Sequence, residues 1–310
     1  MSLVHPAAAR LWADSLVAGD RVLVVGATGW FGRTATMLLE PTPAESLPMA
    51  SVARSYMVAG KQITSVAWDW ETVRDFAPTV VIDCAFLTRD LVVDMSLDDY
   101  VERNRMLTSN LLRTVELGSV TSVITISSGA AVYPVDALTQ SIQENPYGYL
   151  KREAEQQLND LSAARGVSAV IARAWSVSGA FVLKPRGYAF SDMILQARDG
   201  SINIRATMPV YRRYAAVEDL LAVSLAHART GGEMLIDSGG QLVEMQELAE
   251  AIVSVVNPTA TITRASQETA DAHEYYAAAE LWERACAVLS YEPAGLPDQI
   301  RTAAAGIAEN

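Results

Sequence analysis

A tyrosine and a lysine four residues apart, Tyr147 and Lys151, are the residues whose spacing most clearly suggests chemistry. They follow Pro146 in the segment NPYGYLKREAE, and proline is common in the first turn of a helix. Positions i and i+4 share one helix face, so both side chains would point to one site. An ammonium group stabilises a neighbouring phenolate, which brings tyrosine proton exchange closer to neutral pH. The pair predicts a proton-transfer site, with an ordinary helix start as the alternative.

A glycine-rich turn follows the first apolar run of the chain, RVLVV at residues 21–25. Such a run suits a strand that is buried on both faces of a parallel sheet. The turn reads GATGWFG and contains Gly26, Gly29 and Gly32, directly before a helical segment. Glycines here let the backbone approach a pyrophosphate, which the free N–H groups at the start of the helix can bind. The pattern predicts a dinucleotide site, with a purely structural turn as the alternative.

Strand and helix patterns alternate through the first 175 residues, which predicts an α/β fold with a doubly wound parallel sheet. The predicted strands lie at 21–25, 50–54, 79–83, 122–127 and 168–173, and PTPAESLP at 41–48 has the composition of a turn. The predicted helices lie at roughly 97–117, 147–165, 189–198, 217–229, 244–256 and 296–308. We expect a dinucleotide-binding domain over 1–175 and a smaller α/β domain, mainly for substrate binding, over 176–310. Segments at about 210–240 are expected to return to the first domain.

The composition restricts the classes of partner. The chain carries 36 acidic and 24 basic side chains, a net charge of −12, and has no run of Lys or Arg, which disfavours nucleic acid and anionic membranes. Cys84 and Cys286 are far apart in sequence and the histidines have no ligand spacing, so we expect neither a disulfide framework nor a metal site. No run of about 18 apolar residues is present, and the first residues lack the plan of a signal peptide. We expect a cytoplasmic protein.

Several motifs in a fixed order resemble the short-chain dehydrogenase/reductase superfamily, in particular its extended branch of nucleotide-sugar epimerases, dehydratases and reductases. The resemblance runs through nearly the whole chain and implies a Rossmann-type fold. Its motifs are the Gly-x-x-Gly-x-x-Gly turn, WDW at 68–70, DCAF at 83–86, the helix with Asn104, Thr108, Asn110 and Leu111, TISSGAAVYP at 125–134, and the segments 202–220 and 234–252.

The resemblance implies a bound nicotinamide dinucleotide and identifies the residues around it. Asp69 stands where the family has an aspartate that touches the adenine, and the backbone at Ala85 is expected to lie along the cofactor. Lys151 is expected to bind the nicotinamide ribose. Trp30 lies between two of the glycines. The alternative to a cofactor contact is that its side chain anchors the loop. The full set expected at the cofactor is Gly26, Thr28, Gly29, Trp30, Phe31, Gly32, Arg54, Asp69, Trp70, Ala85 and Lys151.

The end of the second predicted strand bears on the choice between NAD and NADP. NAD-selective relatives carry an acidic residue there, which binds the ribose hydroxyls of the adenosine. Residues 51–55, SVARS, contain no carboxylate, and Arg54 offers a guanidinium to a 2′-phosphate. We therefore expect NADP in preference to NAD, which slightly favours a reductase over an epimerase.

The catalytic roles also follow from the resemblance. Tyr147 is expected to act as the acid/base at a substrate hydroxyl or carbonyl, assisted by Lys151. The position of the family's catalytic serine or threonine is occupied by Gly129, so we expect Ser128 to supply this hydroxyl and Ser127 to lie beside the substrate. The Thr-Asp-Glu sequence usual in 4,6-dehydratases is absent at this turn, which disfavours elimination of water.

The expected substrate is a nucleotide-diphosphate sugar. Arg213, with Arg212 as the alternative, looks like the family's diphosphate-binding arginine, and Ser176 stands where many relatives have an asparagine. We expect an epimerase or a ketoreductase that forms a homodimer through the helices at 97–117 and 147–165. The alternative is a non-catalytic NAD(P)-binding sensor or scaffold protein that has retained the fold.

Overall fold

The computed structural model describes residues 3–134, 138–232, 234–265 and 271–309. The helices are α1 (Pro6–Asp14), α2 (Trp30–Leu39), α3 (Trp70–Phe76), α4 (Leu97–Val115), α5 (Pro146–Arg165), α6 (Ala189–Arg198), α7 (Val217–Thr230), α8 (Met245–Val256), α9 (Ala279–Val288) and α10 (Leu296–Glu309). The strands are β1 (Arg21–Val25), β2 (Glu45–Ala50), β3 (Arg54–Val58), β4 (Lys61–Ala67), β5 (Val80–Asp83), β6 (Ser122–Ser128), β7 (Ser168–Ala174), β8 (Ser176–Ser178), β9 (Ser201–Ile204), β10 (Val210–Ala216), β11 (Leu235–Asp237), β12 (Gln241–Glu244), β13 (Thr261–Arg264) and β14 (His273–Tyr275).

The main sheet has eight strands in the order β11-β7-β6-β5-β1-β2-β4-β3. Every neighbouring pair is parallel except β3 and β4, which form an antiparallel hairpin at one edge. Both faces of the central strands are buried, which explains why their sequences are continuous apolar runs. The order reverses between β1 and β5, and the carboxyl ends of strands at such a point form a crevice for ligands. The predicted α/β fold with a doubly wound sheet is confirmed.

Helices cover both faces of this sheet. On one face α2 and α7 pack on the strands and α1 packs on α7, around an apolar cluster that includes Trp12, Leu38 and Leu220. On the other face α4 and α5 lie side by side. Leu111 of α4 and Leu158 of α5 are buried there in a second apolar cluster with the strands. This layering holds α5, which carries Tyr147 and Lys151, directly against β6.

Most of the strands outside the main sheet, together with α6, α8 and α10, surround a separate apolar cluster. Strand β10 pairs with β8, β12 and β14, and β9 pairs with β13. Helices α6, α8 and α10 pack around the cluster, with Ile194, Leu248 and Ile300 fully enclosed. Strand β11 returns to the main sheet beside β7. The division of the chain into two domains near residue 175 remains a prediction.

The second strand of the sheet differs from its prediction. The strand expected at 50–54 lies instead at Glu45–Ala50, and residues 51–53 connect it to β3. Prolines around this segment gave it the composition of a turn, but Leu47 and Met49 pair with β1 and Met49 is fully buried. Burial of the apolar side chains therefore prevails over the turn signal. Arg54 begins β3 and does not end β2.

Candidate active site

The glycine turn between β1 and α2 is a tight backbone loop. Gly26 has a φ of +77°, and a Cβ atom there would lie 2.8 Å from the carbonyl carbon of Cys84, after β5. A Cβ at Gly32 would lie 2.2 Å from the carbonyl oxygen of Gly26. Gly29 is the N-cap of α2 and offers no capping side chain, so the first N–H groups of the helix remain available to an anion. The loop fits the pyrophosphate of a dinucleotide.

Tyr147 lies in the first turn of α5, beside the end of β6. Asn145 caps this helix by accepting a hydrogen bond from the Gly148 N–H at 3.0 Å, so the cap and Pro146 fix the point at which the tyrosine emerges. The Tyr147 ring is partly exposed, and its burial raises the pKa of the phenol to about 12. The nearby Ser128 hydroxyl acts in the opposite direction on this pKa.

Lys151 lies one helical turn further along α5 and is buried. Its Nζ atom donates to the carbonyl oxygen of Ile126 at 2.7 Å and lies 3.7 Å from the centroid of the Phe86 ring. Burial lowers the pKa of the Lys151 ammonium to about 8, although the carboxylates of Asp83 and Glu155 favour the charged form. Burial likewise raises the pKa of Asp83 to about 6. The site thus contains a buried ammonium whose charge depends on nearby carboxylates.

The two serines at the end of β6 have different surroundings, because successive side chains of a strand point to opposite faces. Ser127 Oγ donates to Glu155 Oε1 at 2.5 Å, and Arg173 holds the same carboxylate through two bonds of 2.9 and 2.6 Å. Ser128 lies near Tyr147 instead. The structure therefore brings Ser128 together with the tyrosine and engages Ser127 with a buried ion pair.

The indole of Trp175 occupies the space beside Gly129. A Cβ atom at Gly129 would lie 2.3 Å from the indole ring. The indole is fixed in place, because its Nε1 donates to Asp237 Oδ1 at 2.6 Å and the Trp175 backbone N–H donates to Ser238 Oγ at 2.9 Å. A serine or threonine at position 129 is sterically excluded, which gives the physical reason for the glycine at this position.

Tyr275 of β14 forms part of the same wall. Its ring centroid lies 5.0 Å from that of Trp175 and 5.1 Å from that of Tyr133. Burial, the largest effect, raises the pKa of its phenol, whereas the nearby Ser128 side chain lowers it. The Arg212 guanidinium carbon lies 5.5 Å from the centroid of the Tyr275 ring. Sequence reasoning missed Tyr275, because only the pairing of β14 with β10 brings it to the end of β6.

Arg212 and Arg213 point to opposite sides of β10. Arg212 lies over Tyr275, with NH1 donating to the carbonyl oxygen of Tyr211 at 2.7 Å. Arg213 donates to the carbonyl oxygen of Gly240 at 3.0 Å, on the other side of the strand. Ser176 lies on β8, where its backbone pairs with Tyr214. Arg212, and not Arg213, is the arginine next to the aromatic wall.

The sequence of residues 22–235 matches the NAD dependent epimerase/dehydratase family. The chain belongs to this family. A UDP-glucose 4-epimerase from Azospirillum brasilense is 26% identical in an alignment of 304 positions, which covers 86% of this chain and 86% of that protein. The predicted resemblance is confirmed.

Solved structures of the same fold cover almost all of the chain. UDP-glucose 4-epimerase from Brucella ovis, in complex with NAD, has a TM-score of 0.70 at 23% identity and covers 93% of this chain and 98% of its own. UDP-N-acetylglucosamine 4-epimerase from Methanobrevibacter ruminantium M1 has a TM-score of 0.75 at 17% identity and covers 94% and 99%. With the family assignment and the glycine loop, the expectation of an NAD(P) cofactor is confirmed for this epimerase/dehydratase family member.

The outer end of the predicted cofactor site contains two arginines. Arg54 is exposed at the start of β3. Arg33, on α2, lies with its guanidinium carbon 4.9 Å from the centroid of the Tyr56 ring, and its Nε donates to the carbonyl oxygen of Thr28 at 3.0 Å. Burial lowers the pKa of Arg33, and the positive charge of Arg54 lowers it further. Among the described residues, neither arginine has a carboxylate within 4 Å. Sequence reasoning missed Arg33.

The other predicted cofactor residues are dispersed around this loop. Asp69 caps α3 by accepting from the Thr72 N–H at 2.8 Å, and the Trp70 ring lies under the Arg113 guanidinium at 3.8 Å. Trp30 packs against Phe31 and Tyr188. The Ala85 N–H donates to Asp83 Oδ1 at 3.3 Å, on the backbone segment that faces Gly26. Their contacts with a cofactor remain predictions.

A cavity of about 270 Å³ lies near the amino-terminal end of α6. Polar side chains in its lining include Arg186, Gln196, Asn203 and Arg205. Within the described part of the chain, no group of three or more His, Cys, Asp or Glu residues has the geometry of a metal site. No described helix combines the length and apolar character that a membrane span requires.

Proposed function

We propose that this protein catalyses nicotinamide-dependent hydride transfer on a nucleotide-diphosphate sugar, as an epimerase or a ketoreductase. The observation that carries the proposal is the placement of Tyr147 next to Ser128, with the Lys151 ammonium one helical turn away. All three lie at the carboxyl end of β6, beyond β1 and its glycine loop, where a doubly wound sheet places its ligands. The similarity to a UDP-glucose 4-epimerase supports the substrate class.

Each of the three side chains has a distinct role in this reaction. Tyr147 takes the proton of the reacting hydroxyl while the hydride leaves the same carbon, so the alcohol becomes a ketone, and Tyr147 returns the proton on reduction. The Lys151 ammonium stabilises the phenolate form of Tyr147. Ser128 hydrogen-bonds the reacting oxygen. The bound nicotinamide supplies the hydride acceptor and donor. In an epimerase the hydride returns to the opposite face of the carbon, whereas a ketoreductase requires only the reduction.

Arginines and the cavity near α6 support a nucleotide-diphosphate substrate. We expect Arg212 to hold the diphosphate, because it lies beside the aromatic wall and a guanidinium can bind phosphate oxygens through two hydrogen bonds. The cavity near α6, with Arg205 and Asn203 in its lining, has the polar groups needed to hold the nucleotide. Solved relatives bind UDP-glucose or UDP-N-acetylmuramic acid, which makes a uridine nucleotide the first substrate to test.

A non-catalytic sensor is the second candidate. The observation that favours it is the indole over Gly129, because the glycine brings no hydroxyl to the position of the family's catalytic serine or threonine. Ser128 is then the hydroxyl that β6 contributes beside Tyr147. A sensor of this kind would bind the dinucleotide and turn over no sugar.

The test is an NMR assay of UDP-glucose and UDP-N-acetylglucosamine, and of their 4-keto forms, with NAD(H) and NADP(H). Tyr147→Phe is expected to bind cofactor normally and to lose turnover by at least about 100-fold, as for loss of general acid/base assistance. Tyr149→Phe is the matched control, because Tyr149 is on the same helix with its ring 5.7 Å from Arg152. Tyr147→Phe with wild-type turnover excludes the acid/base role, and cofactor binding without turnover in the wild type identifies the sensor.

A further inference from the structure

Tyr275 reaches the site from a distant part of the sequence. It ends β14, where its backbone pairs with Arg212 of β10. Its ring packs between Tyr133 and Trp175, so the neighbouring aromatic rings restrict its orientation. Its hydroxyl lies close to Ser128 and to the backbone of Ala130. A phenol held at the end of β6 is thus part of the site and not only of the wall.

The hydroxyl of Ser128 connects the two phenols. Its Oγ accepts from the Ala130 N–H at 3.2 Å, and the hydroxyls of Tyr147 and Tyr275 both lie near it. A serine hydroxyl donates one hydrogen and accepts through two lone pairs, so it can donate to only one of the phenols at a time. A substrate oxygen atom placed beside Ser128 would therefore lie close to the hydroxyls of both Tyr147 and Tyr275.

We propose that Tyr275 is a further catalytic residue, which donates a hydrogen bond to the reacting oxygen in place of the side-chain hydroxyl that Gly129 lacks. The proposal rests on the proposed function. The Trp175 indole fills the space of any side chain at position 129, so a second hydroxyl donor beside Ser128 has to come from another element.

The two phenols have different roles. Tyr147 has the Lys151 ammonium one helical turn away and exchanges the proton. Burial raises the pKa of both phenols, and Tyr275, which has no lysine on its own strand, remains protonated. A protonated phenol can donate to the negative charge that develops on the oxygen, in the manner of an oxyanion-hole donor.

The first test compares Tyr275→Phe with Tyr276→Phe in steady-state kinetics on the nucleotide sugar that the wild type turns over. Tyr275→Phe retains the ring and is expected to lower kcat by about 100-fold, as for removal of one oxyanion donor, with KM changed far less. Tyr276, whose hydroxyl lies near Glu274, is the control and keeps kcat. A changed KM with wild-type kcat would show that Tyr275 only lines the pocket, which overturns the proposal.

A double-mutant cycle tests the link with Ser128. If Tyr275 and Ser128 hold the same oxygen, the loss of kcat in Tyr275→Phe/Ser128→Ala is smaller than the product of the two single losses. Losses that multiply would show that the two side chains act independently, which contradicts the shared contact.

A spectroscopic measurement separates this proposal from the proposed function. In protein labelled with [13Cζ]tyrosine, the resonance of Tyr147 is assigned by its absence in Tyr147→Phe. Removal of the Tyr275 hydroxyl frees Ser128 to bond with Tyr147 alone, so this resonance shifts in Tyr275→Phe and not in Tyr276→Phe. An unmoved resonance overturns the proposal. A wild type without turnover overturns the proposed function and with it the catalytic role of Tyr275. The Tyr147 resonance still tests, in that case, whether Tyr147 and Tyr275 both contact Ser128.

Discussion

Ser127 and Ser128 are adjacent residues for which we expect opposite consequences of the same substitution. Ser128→Ala removes a hydroxyl beside Tyr147 and should lower turnover by about 10- to 100-fold, at most the effect of one oxyanion donor. Ser127→Ala removes the donor to the buried Glu155 and should lower the free energy of unfolding by about 1–3 kcal/mol. Its effect on turnover should be smaller than that of Ser128→Ala. Kinetics and thermal unfolding of both variants check this. Equal and negligible changes in turnover would mean that neither serine contacts the reacting oxygen.

The charge of Lys151 predicts a pH dependence. Its pKa is lowered to about 8, so the ligand-free protein loses the buried ammonium as the pH rises through this value. The carboxylate of Asp83 favours the ammonium, so Asp83→Asn should lower the pKa of Lys151 further. The alkaline limb of the profiles of cofactor affinity and of kcat should therefore move to lower pH. Exposed Asp75→Asn is the control, and an unmoved alkaline limb in Asp83→Asn contradicts the coupling.

Sequence reasoning identified the parts of the site that lie close together along the chain. Tyr147 and Lys151 are related by helical spacing, and the three glycines by the geometry of one turn. Arg33, Trp175 and Tyr275 could not be predicted in the same way, because strand pairing and helix packing bring them to the site. The choice between Arg212 and Arg213 depends on which side of β10 each faces, and the sequence does not specify this.

At the level of the elements, the continuous apolar strands were the easiest to predict. β1 has its predicted bounds, and β6 and β7 extend one residue beyond theirs, because burial on both faces leaves an unambiguous apolar run. The hairpin of β3 and β4 was not predicted, since it lies at the edge of the sheet and most of its side chains are exposed. Helices α1, α3 and α9 were also not predicted.

The prediction on the choice between NADP and NAD depends on this edge hairpin. Arg54 begins β3 and Arg33 lies on α2, near enough for their charges to interact, without a carboxylate partner among the described residues. We expect the wild type to prefer NADP(H) over NAD(H), because a 2′-phosphate would reduce the repulsion between two guanidinium groups.

The measurement is a pair of fluorescence titrations with NADPH and NADH. Arg54→Ala and Arg33→Ala should each weaken NADPH binding by about tenfold, as for loss of one charge-assisted hydrogen bond, and leave NADH binding nearly unchanged. Arg10→Ala, at an exposed position of α1, is the control. A wild type that prefers NADH would exclude the 2′-phosphate site.

On the scale of the whole molecule, α4 and α5 present an exposed face with apolar side chains. Met106 is 56% exposed, and Leu112 and Leu161 line an open groove between the two helices. We expect a homodimer through this face, because burying it would remove apolar surface from water. Sedimentation equilibrium of the wild type and of Leu112→Glu/Leu161→Glu checks this, with Val93→Glu, which alters an exposed valine outside α4 and α5, as the control. A monomeric wild type at micromolar concentration contradicts the expectation.

The indole of Trp175 also determines the order in which this chain could evolve towards elimination of water. That chemistry would need larger, acidic side chains on the turn after β6, where Gly129 contacts the indole and Ala131 is fully buried. A smaller residue at position 175 must therefore come first. This first step removes the hydrogen bond to Asp237 and opens a cavity before any new activity exists. The route to a dehydratase passes through a less stable intermediate, which selection would remove unless stabilising substitutions preceded it.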